Sequence, residues 1–137
     1  MRRRWRITCL GQPIQAWVTA LDEGYDVALY GGCRTHVGAV GLARPDGGVE
    51  LLERAGHRDG VVAGRWAATL AAAWRAPVCV RCGNHYDGVD KRGIEQIVAA
   101  CAALLKEVEK GADRNERNPC RQSDHGAGPV PRRMDAG

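Results

Sequence analysis

Residues 59–82 read DGVVAGRWAATLAAAWRAPVCVRC, and the spacing of apolar side chains changes along this stretch. Its first part has apolar residues on one helical face, with Asp59 at the N-cap position and Pro77 just beyond the helix end. Residues 77–82 are rich in β-branched side chains and predict a strand. The stretch therefore predicts a helix followed by a strand. The apolar positions of the helical face are Val62, Trp66, Leu70, Ala73 and Trp74.

The elements on either side of this stretch complete the fold prediction. A second helical stripe, formed by Ile94, Ile97, Val98, Cys101, Leu104, Leu105 and Val108, predicts a helix from about Asp90 to Gly111. Alternating or apolar runs bounded by Gly, Pro and Asp predict five upstream strands, at residues 4–10, 14–20, 25–30, 36–43 and 49–52. The order β-β-β-β-β-α-β-α predicts an α+β fold, with a single mostly antiparallel sheet and two helices packed on one face. The first half reads as an antiparallel meander, and the glycine-rich strand at 36–43 as a central strand against which something packs closely.

The periodic pattern of apolar residues ends before the C-terminus. The length of 137 residues fits one domain, which we place at residues 1–111. Residues 112–137 carry scattered charges and almost no large apolar side chains, so they cannot offset the entropic cost of ordering. We therefore predict a disordered polar tail, and assign no role to its Cys120 and His125.

Composition excludes several classes of protein. The 20 Lys and Arg against 16 Asp and Glu give a mildly basic chain, with excess charge at Arg2, Arg3, Arg4 and Arg6 that we interpret as a solvated end. Phe is absent and the basic residues do not alternate with aromatic ones, so we expect no nucleic-acid partner. No signal peptide and no run long enough to cross a bilayer are found, so we expect a cytoplasmic protein without a membrane partner.

The six cysteines do not suggest a disulfide framework. Cys79 and Cys101 lie in apolar segments, where buried thiols are common. The Cys79-x-x-Cys82 pair lies in a predicted strand, where residues three apart point to opposite faces. Two metal ligands must converge and a second such pair is missing, so we set aside a zinc ribbon.

Three of the four histidines lie in glycine-flanked segments that we interpret as turns at the junctions between elements. Histidine titrates near neutral pH and ligates metals, and glycine lets the backbone approach a ligand closely. Each segment alone fits an ordinary loop histidine. Together they predict one polar pocket. The segments are GGCRTHVGA around His36, GHRDG around His57 and GNHYD around His85.

The segment around His57 leaves two interpretations open. It places Arg58 and free backbone amides at the start of a helix, where the helix dipole favours an anion such as phosphate. Alternatively, Asp59 caps the helix and Arg58 is a surface charge. If His36 and His85 flank adjacent strands, the pocket gains two imidazoles and the carboxylate of Asp87, and it suits either a phosphorylated aromatic cofactor or a metal ion.

Taken in order, the three segments resemble the small prenylated-flavin chaperone family, whose members also serve as the small D subunit of bacterial phenolic-acid (gallate-type) decarboxylases. The resemblance covers about residues 4–109. It depends on Gly31-Gly32-x-x-x-His36-Val37-Gly38-Ala39-Val40, Gly56-His57-Arg58-Asp59-x-Val61-Val62 and Gly83-x-His85-x-Asp87-x-Val89-x-x-x-x-Ile94. Cys33-Arg34-Thr35 and Asn84 depart from the family pattern.

The resemblance implies a non-catalytic protein that holds prenylated FMN for maturation of a UbiD-type decarboxylase, alongside a UbiX-type flavin prenyltransferase. We expect it to form a homodimer. A second hypothesis is a metalloenzyme with a three-histidine site at His36, His57 and His85. A third is a structural small subunit of a decarboxylase complex. The cofactor-binding positions carried over from the family are His36, Gly38, His57, Arg58, Asp59, His85 and Asp87.

Overall fold

The computed structural model describes residues 2–55 and 59–113. The predicted element order and the α+β class are confirmed, with boundaries that differ by a few residues. The predicted tail begins inside the last helix, and residues 114–137 lie outside the described ranges. The elements are β1 (Arg2–Cys9), β2 (Gln12–Ala20), β3 (Tyr25–Gly32), β4 (Arg34–Ala43), β5 (Val49–Glu53), α1 (Asp59–Trp74), β6 (Val78–His85) and α2 (Lys91–Asp113).

The six strands form one sheet in the order β1-β2-β3-β6-β4-β5. The predicted meander is correct for β1 to β3 but wrong for β3 and β4, because β6 lies between them, parallel to β3 and antiparallel to β4. The chain passes from β3 to β4 across the end of β6, where the Cys33 amide donates to the His85 carbonyl at 2.7 Å. β6 takes this interior place because Val78 and Val80 are fully buried.

Both helices pack on the same face of the sheet, as predicted. α1 lies over β4 and β6, and α2 lies over β1. The helices meet near their far ends, where the indole of Trp74 donates to the Glu109 carbonyl at 3.3 Å. Among the described residues, no helix packs on the opposite side, which we call the open face.

The close approach predicted at the glycine-rich strand lies between β4 and α1. A Cβ added at Gly41 would stand 3.1 Å from the carbonyl oxygen of Ala63. Ala63 is itself fully buried on the helix face that meets the sheet. Small side chains on both elements thus bring α1 against β4, which sets the position of the helix start and of Asp59.

Two details of the sequence interpretation are corrected. Arg2 and Arg4 are exposed, as interpreted, but they belong to β1, and their guanidinium groups stack over Trp17 at 4.2 and 5.2 Å. Cys79 is only half-buried, whereas Cys82 is buried, which confirms that the two point to opposite faces. None of the helices within residues 2–55 and 59–113 is long and apolar enough to cross a membrane.

The helical stripes also differ from the prediction at some positions. On α1, Trp66 and Leu70 are buried as expected, but Ala73 is exposed. On α2, the C-terminal part of the stripe is buried, whereas Ile94 and Val98 remain 40% and 47% exposed. The first two turns of α2 therefore present apolar side chains to a cleft instead of to the core.

Candidate functional site

A cavity of about 260 Å³ lies at the end of the sheet where β4, β6 and the first turns of both helices meet. One side is polar and the other is apolar. The apolar side comes mainly from α2, through residues such as Ile97 and Val98. Such a division is typical of small-molecule pockets, in which a few polar groups orient a ligand against apolar walls. The polar side is formed by His36, Asp59, Asn84 and His85.

Asp59 is the centre of the polar side. It is the first residue of α1, and its side chain is buried. Its carboxylate accepts hydrogen bonds from Nε2 of His36 at 3.0 Å and from the backbone amide of Asn84 at 3.0 Å, with the Cys82 thiol 3.9 Å away. The sequence interpretation of Asp59 as a helix cap is thus incomplete, because the carboxylate joins α1 to β4 and β6.

Two glycines allow this arrangement. A Cβ on Gly38 would overlap the Asp59 carboxylate, and a Cβ on Gly83 would overlap the backbone carbonyl of His36. The pairing of β4 with β6 shifts register between Thr35 and Ala39, which is the geometry of a bulge. His36 therefore lies in a strand bulge, not in the turn that the sequence predicted. The bulge directs its ring to Asp59.

The second imidazole stands at the rim of the cavity. His85 ends β6, and its ring centroid lies 6.1 Å from that of His36, with the ring planes at 77°. Nε2 of His85 contacts Oδ1 of Asp87 at 2.8 Å in an exposed pair. Five of the predicted positions, His36, Gly38, Asp59, His85 and Asp87, thus cluster at this end of the sheet. His57 and Arg58 lie outside the described residues.

The start of α1 is already occupied by acidic side chains. The Gly60 amide donates to Oε1 of Glu53 at 3.2 Å, and the Asp59 carboxylate lies beside it. An anion at this helix start would have to displace Glu53 and approach a second carboxylate. The sequence suggested that an anion such as phosphate binds at the start of α1. The described residues of the segment around His57 do not support that interpretation.

Asn84 is a site residue that sequence reasoning set aside as a departure from the family pattern. Its side-chain amide nitrogen contacts the Cys82 sulfur at 3.5 Å. Its Oδ1 is buried and has no hydrogen-bond partner within residues 2–55 and 59–113. A buried acceptor without a partner is costly, and in native proteins it commonly marks a ligand or water position. Its place one residue before His85 was the signal that could have found it.

The thiols and the phenol near the cavity are held in their neutral forms. Burial raises the pKa of Cys82 far above its usual value, and raises that of Cys101 to about 11. Burial likewise raises the pKa of Tyr86 to about 12, with a further contribution from the side chain of Cys9. Because the thiolate is the nucleophilic form, these cysteines are inert at neutral pH.

The described residues do not support the metal hypothesis. Within residues 2–55 and 59–113, no group of three or more His, Cys, Asp or Glu side chains could hold a metal ion. His36 and His85 are near each other, but each faces a carboxylate. His57, the third ligand of the predicted three-histidine site, lies outside the described ranges.

Comparison with known proteins adds a family and a solved structure. A family model described as "Prenylated flavin chaperone LpdD-like domain" matches residues 8–113, which include every described residue of the cavity. No curated protein matches the chain. Among solved structures, one chain of a chaperone complex for yeast 20S proteasome assembly is similar, with 15% sequence identity and a TM-score of 0.49. That match covers 82% of this chain and 95% of the yeast chain.

Proposed function

Because the chain belongs to the prenylated flavin chaperone LpdD-like family, we propose that it holds prenylated FMN in the cavity around Asp59 and passes it to a UbiD-type apo-decarboxylase. Family membership confirms the resemblance seen in the three histidine segments. The decarboxylase as recipient, and a UbiX-type prenyltransferase as the source of the cofactor, are parts of the proposal.

The observation that carries the proposal is the unpartnered Oδ1 of Asn84. A flavin ring carries an imide N–H along its polar edge, which is the kind of donor that this oxygen lacks, and Asn84 is one of the residues that line the cavity. His36, fixed by Asp59, and His85 at the rim add further polar groups on the same side of the cavity. The residues present therefore fit the polar edge of a flavin.

The chemistry of the described cavity residues supports carrying rather than catalysis. The buried thiols are protonated at neutral pH, so they offer no nucleophile. The Asp59 carboxylate is already engaged by His36 and by the Asn84 amide, which leaves it poorly placed to take a proton from a substrate. Asp87 is exposed and paired with His85. Prenylated FMN supplies decarboxylation chemistry only once it is in the recipient enzyme.

We place this function in the cytoplasm. Five cysteines of the described ranges are free thiols, which fits a reducing compartment. An oxygen-sensitive reduced flavin also requires protection between the enzyme that makes it and the enzyme that uses it.

The function is tested by mixing apo-decarboxylase with reduced prenylated FMN under anaerobic conditions, with and without this protein, and following carbon dioxide release. We expect the protein to bind the cofactor, to raise the active fraction of the decarboxylase, and to leave phenolic acids unchanged on its own. Asn84→Leu removes the unpartnered oxygen at similar size and should weaken binding about two- to tenfold, the value of one hydrogen bond. Gln96→Leu, at an exposed position of α2, is the control. Turnover of a phenolic acid by this chain alone would overturn the proposal.

The predicted homodimer has a physical basis in the open face. The register places Trp17, Ala28, Val40 and Leu52 in one row across this face, together with Arg4 and Arg81. Leu52 is 76% exposed. Six strands about 4.8 Å apart and about eight residues long give a face of roughly 750 Å². A standard stable interface buries about 800 Å² on each partner. We propose that a second copy covers this face.

Charge selects the orientation of the two copies. Arg2, Arg4 and Arg6 alternate along β1, at one edge of the open face, whereas Glu50 lies on β5 at the other edge. A two-fold axis that lies in the plane of the interface and runs perpendicular to the strands would place the β1 arginines of the two copies opposite each other. An axis parallel to the strands sets β1 over the β5 strand of the partner, which avoids that repulsion.

The dimer is tested by light scattering coupled to gel filtration. We expect the parent protein to be a dimer and Leu52→Arg to be a monomer, because the proposed axis sets position 52 over the partner's Arg4 and two like charges repel. Val61→Arg, at a residue 68% exposed on the helix-covered side, should remain dimeric. A monomeric parent protein would contradict the proposal, and so would a Leu52→Arg variant that stays dimeric.

A further inference from the structure

The cavity around Asp59 adjoins a second one between the two helices, which we call the interhelical cleft. The interhelical cleft also has a volume of about 260 Å³. Four residues line both cavities, so the two lie side by side. The shared residues are Val62, Ile94, Val98 and Cys101.

The walls of the interhelical cleft are apolar and open to solvent. Val61 on α1 is 68% exposed, and Ile94 and Val98, one turn apart on α2, are 40% and 47% exposed. The floor is formed by Trp66 and Leu105, which are buried. Contiguous exposed apolar side chains of this kind mark ligand grooves or interaction sites. Among the residues that line the interhelical cleft, Arg65 is the charged one.

The two cavities together suit a single elongated ligand. Pockets for small molecules and cofactors usually measure about 300–1,000 Å³, and each of these cavities, at about 260 Å³, lies below that range. The cavity around Asp59 has a polar side, whereas the interhelical cleft is apolar. A ligand with one polar edge and one apolar end therefore fits the adjoining pair.

We propose that the interhelical cleft holds the apolar, prenyl-bearing end of the flavin and so makes Val61, Ile94 and Val98 specificity-determining residues for prenylated over unmodified FMN. This inference rests on the proposed cofactor-carrying function. Unmodified FMN has the same polar edge but lacks the prenyl-derived ring, so it fills less of the interhelical cleft. The chain then discriminates by apolar burial, with the polar end contributing equally to both ligands.

The test is an anaerobic titration of reduced prenylated FMN and reduced unmodified FMN into the parent protein and four variants. Val61→Glu and Val98→Glu place a charge on opposite walls of the cleft. Each should weaken binding of prenylated FMN about tenfold or more, the value of burying one such side chain, and change binding of FMN much less. Leu21→Glu, at a residue 48% exposed in the β2–β3 turn, should match the parent.

Val98→Thr is included in case the glutamate variants fail to fold. Threonine has nearly the same shape as valine, so this variant changes the polarity of the cleft wall without a large change in volume. It should lower the preference for prenylated FMN severalfold, with an unchanged circular dichroism spectrum. An unchanged preference in Val98→Thr and in both glutamate variants would overturn this inference alone. A parent protein that binds neither flavin would overturn the proposed function instead. Equal affinity of the parent for both flavins would overturn the assignment of the cleft while leaving the carrier role intact.

Discussion

Replacing Asp59 with alanine is expected to lower the free energy of unfolding by about 2–4 kcal/mol and to abolish cofactor binding. The side chain is buried and accepts hydrogen bonds from His36 and from the Asn84 amide. Each donor left without a partner in a buried site costs about 1–3 kcal/mol. The negative charge at the start of α1 adds a smaller favourable interaction with the helix dipole, which alanine also loses. Denaturant unfolding and flavin titration measure the two effects.

Asp87→Ala is the matched control, because Asp87 also pairs with a histidine in the same cavity region. The Asp87 side chain is 62% exposed and that of Asp59 is 8% exposed. An exposed ion pair contributes about 0–1 kcal/mol, so Asp87→Ala should unfold almost like the parent. Equal loss of stability in Asp59→Ala and Asp87→Ala would show that burial of the Asp59 carboxylate does not determine its contribution to stability.

The sequence predicted each helix and strand because their signals are local. Apolar periodicity defines α1 and α2, and Pro77 and the glycines define the ends. The place of β6 between β3 and β4 could not be predicted, since strand neighbours are set by burial and long-range pairing that a local pattern does not record. The same limit explains why the meander was extended wrongly to β4.

The candidate site was predictable in its position and less so in its geometry. The glycines around His36 and His85 correctly indicated that the two histidines meet. The direction of the Asp59 carboxylate depends on the bulge in β4, which no local signal near Asp59 reveals. Ile94 and Val98 continue the apolar stripe that predicted α2, but the stripe alone does not show which of its members are buried. Their exposure follows from the separation of the two helices at this end, a tertiary property.

Gly83→Ala is expected to destabilise the protein by about 3 kcal/mol, the upper end of the cost of overpacking, and to disconnect His36 from Asp59. The added Cβ would overlap the backbone carbonyl of His36, and a backbone atom cannot turn aside as a flexible side chain can. β4 must therefore move away from β6 at its bulge. Denaturant unfolding measures the loss of stability, and the nitrogen-bound proton signal of the His36 imidazole in NMR spectra reports the lost hydrogen bond.

Gly64→Ala separates this steric effect from the general effect of replacing a glycine. Gly64 lies within α1, and a Cβ added there meets nothing within 4 Å. Alanine in the interior of a helix is favoured over glycine by about 0.5–1 kcal/mol, so this variant should be more stable than the parent. Stabilisation at Gly64 together with loss of the His36 signal at Gly83 would establish that the close approach of β6 to β4 builds the site. A Gly83→Ala variant with parental stability and an intact His36–Asp59 hydrogen bond would show that the bulge tolerates the added methyl group, and that glycine is not required at this position.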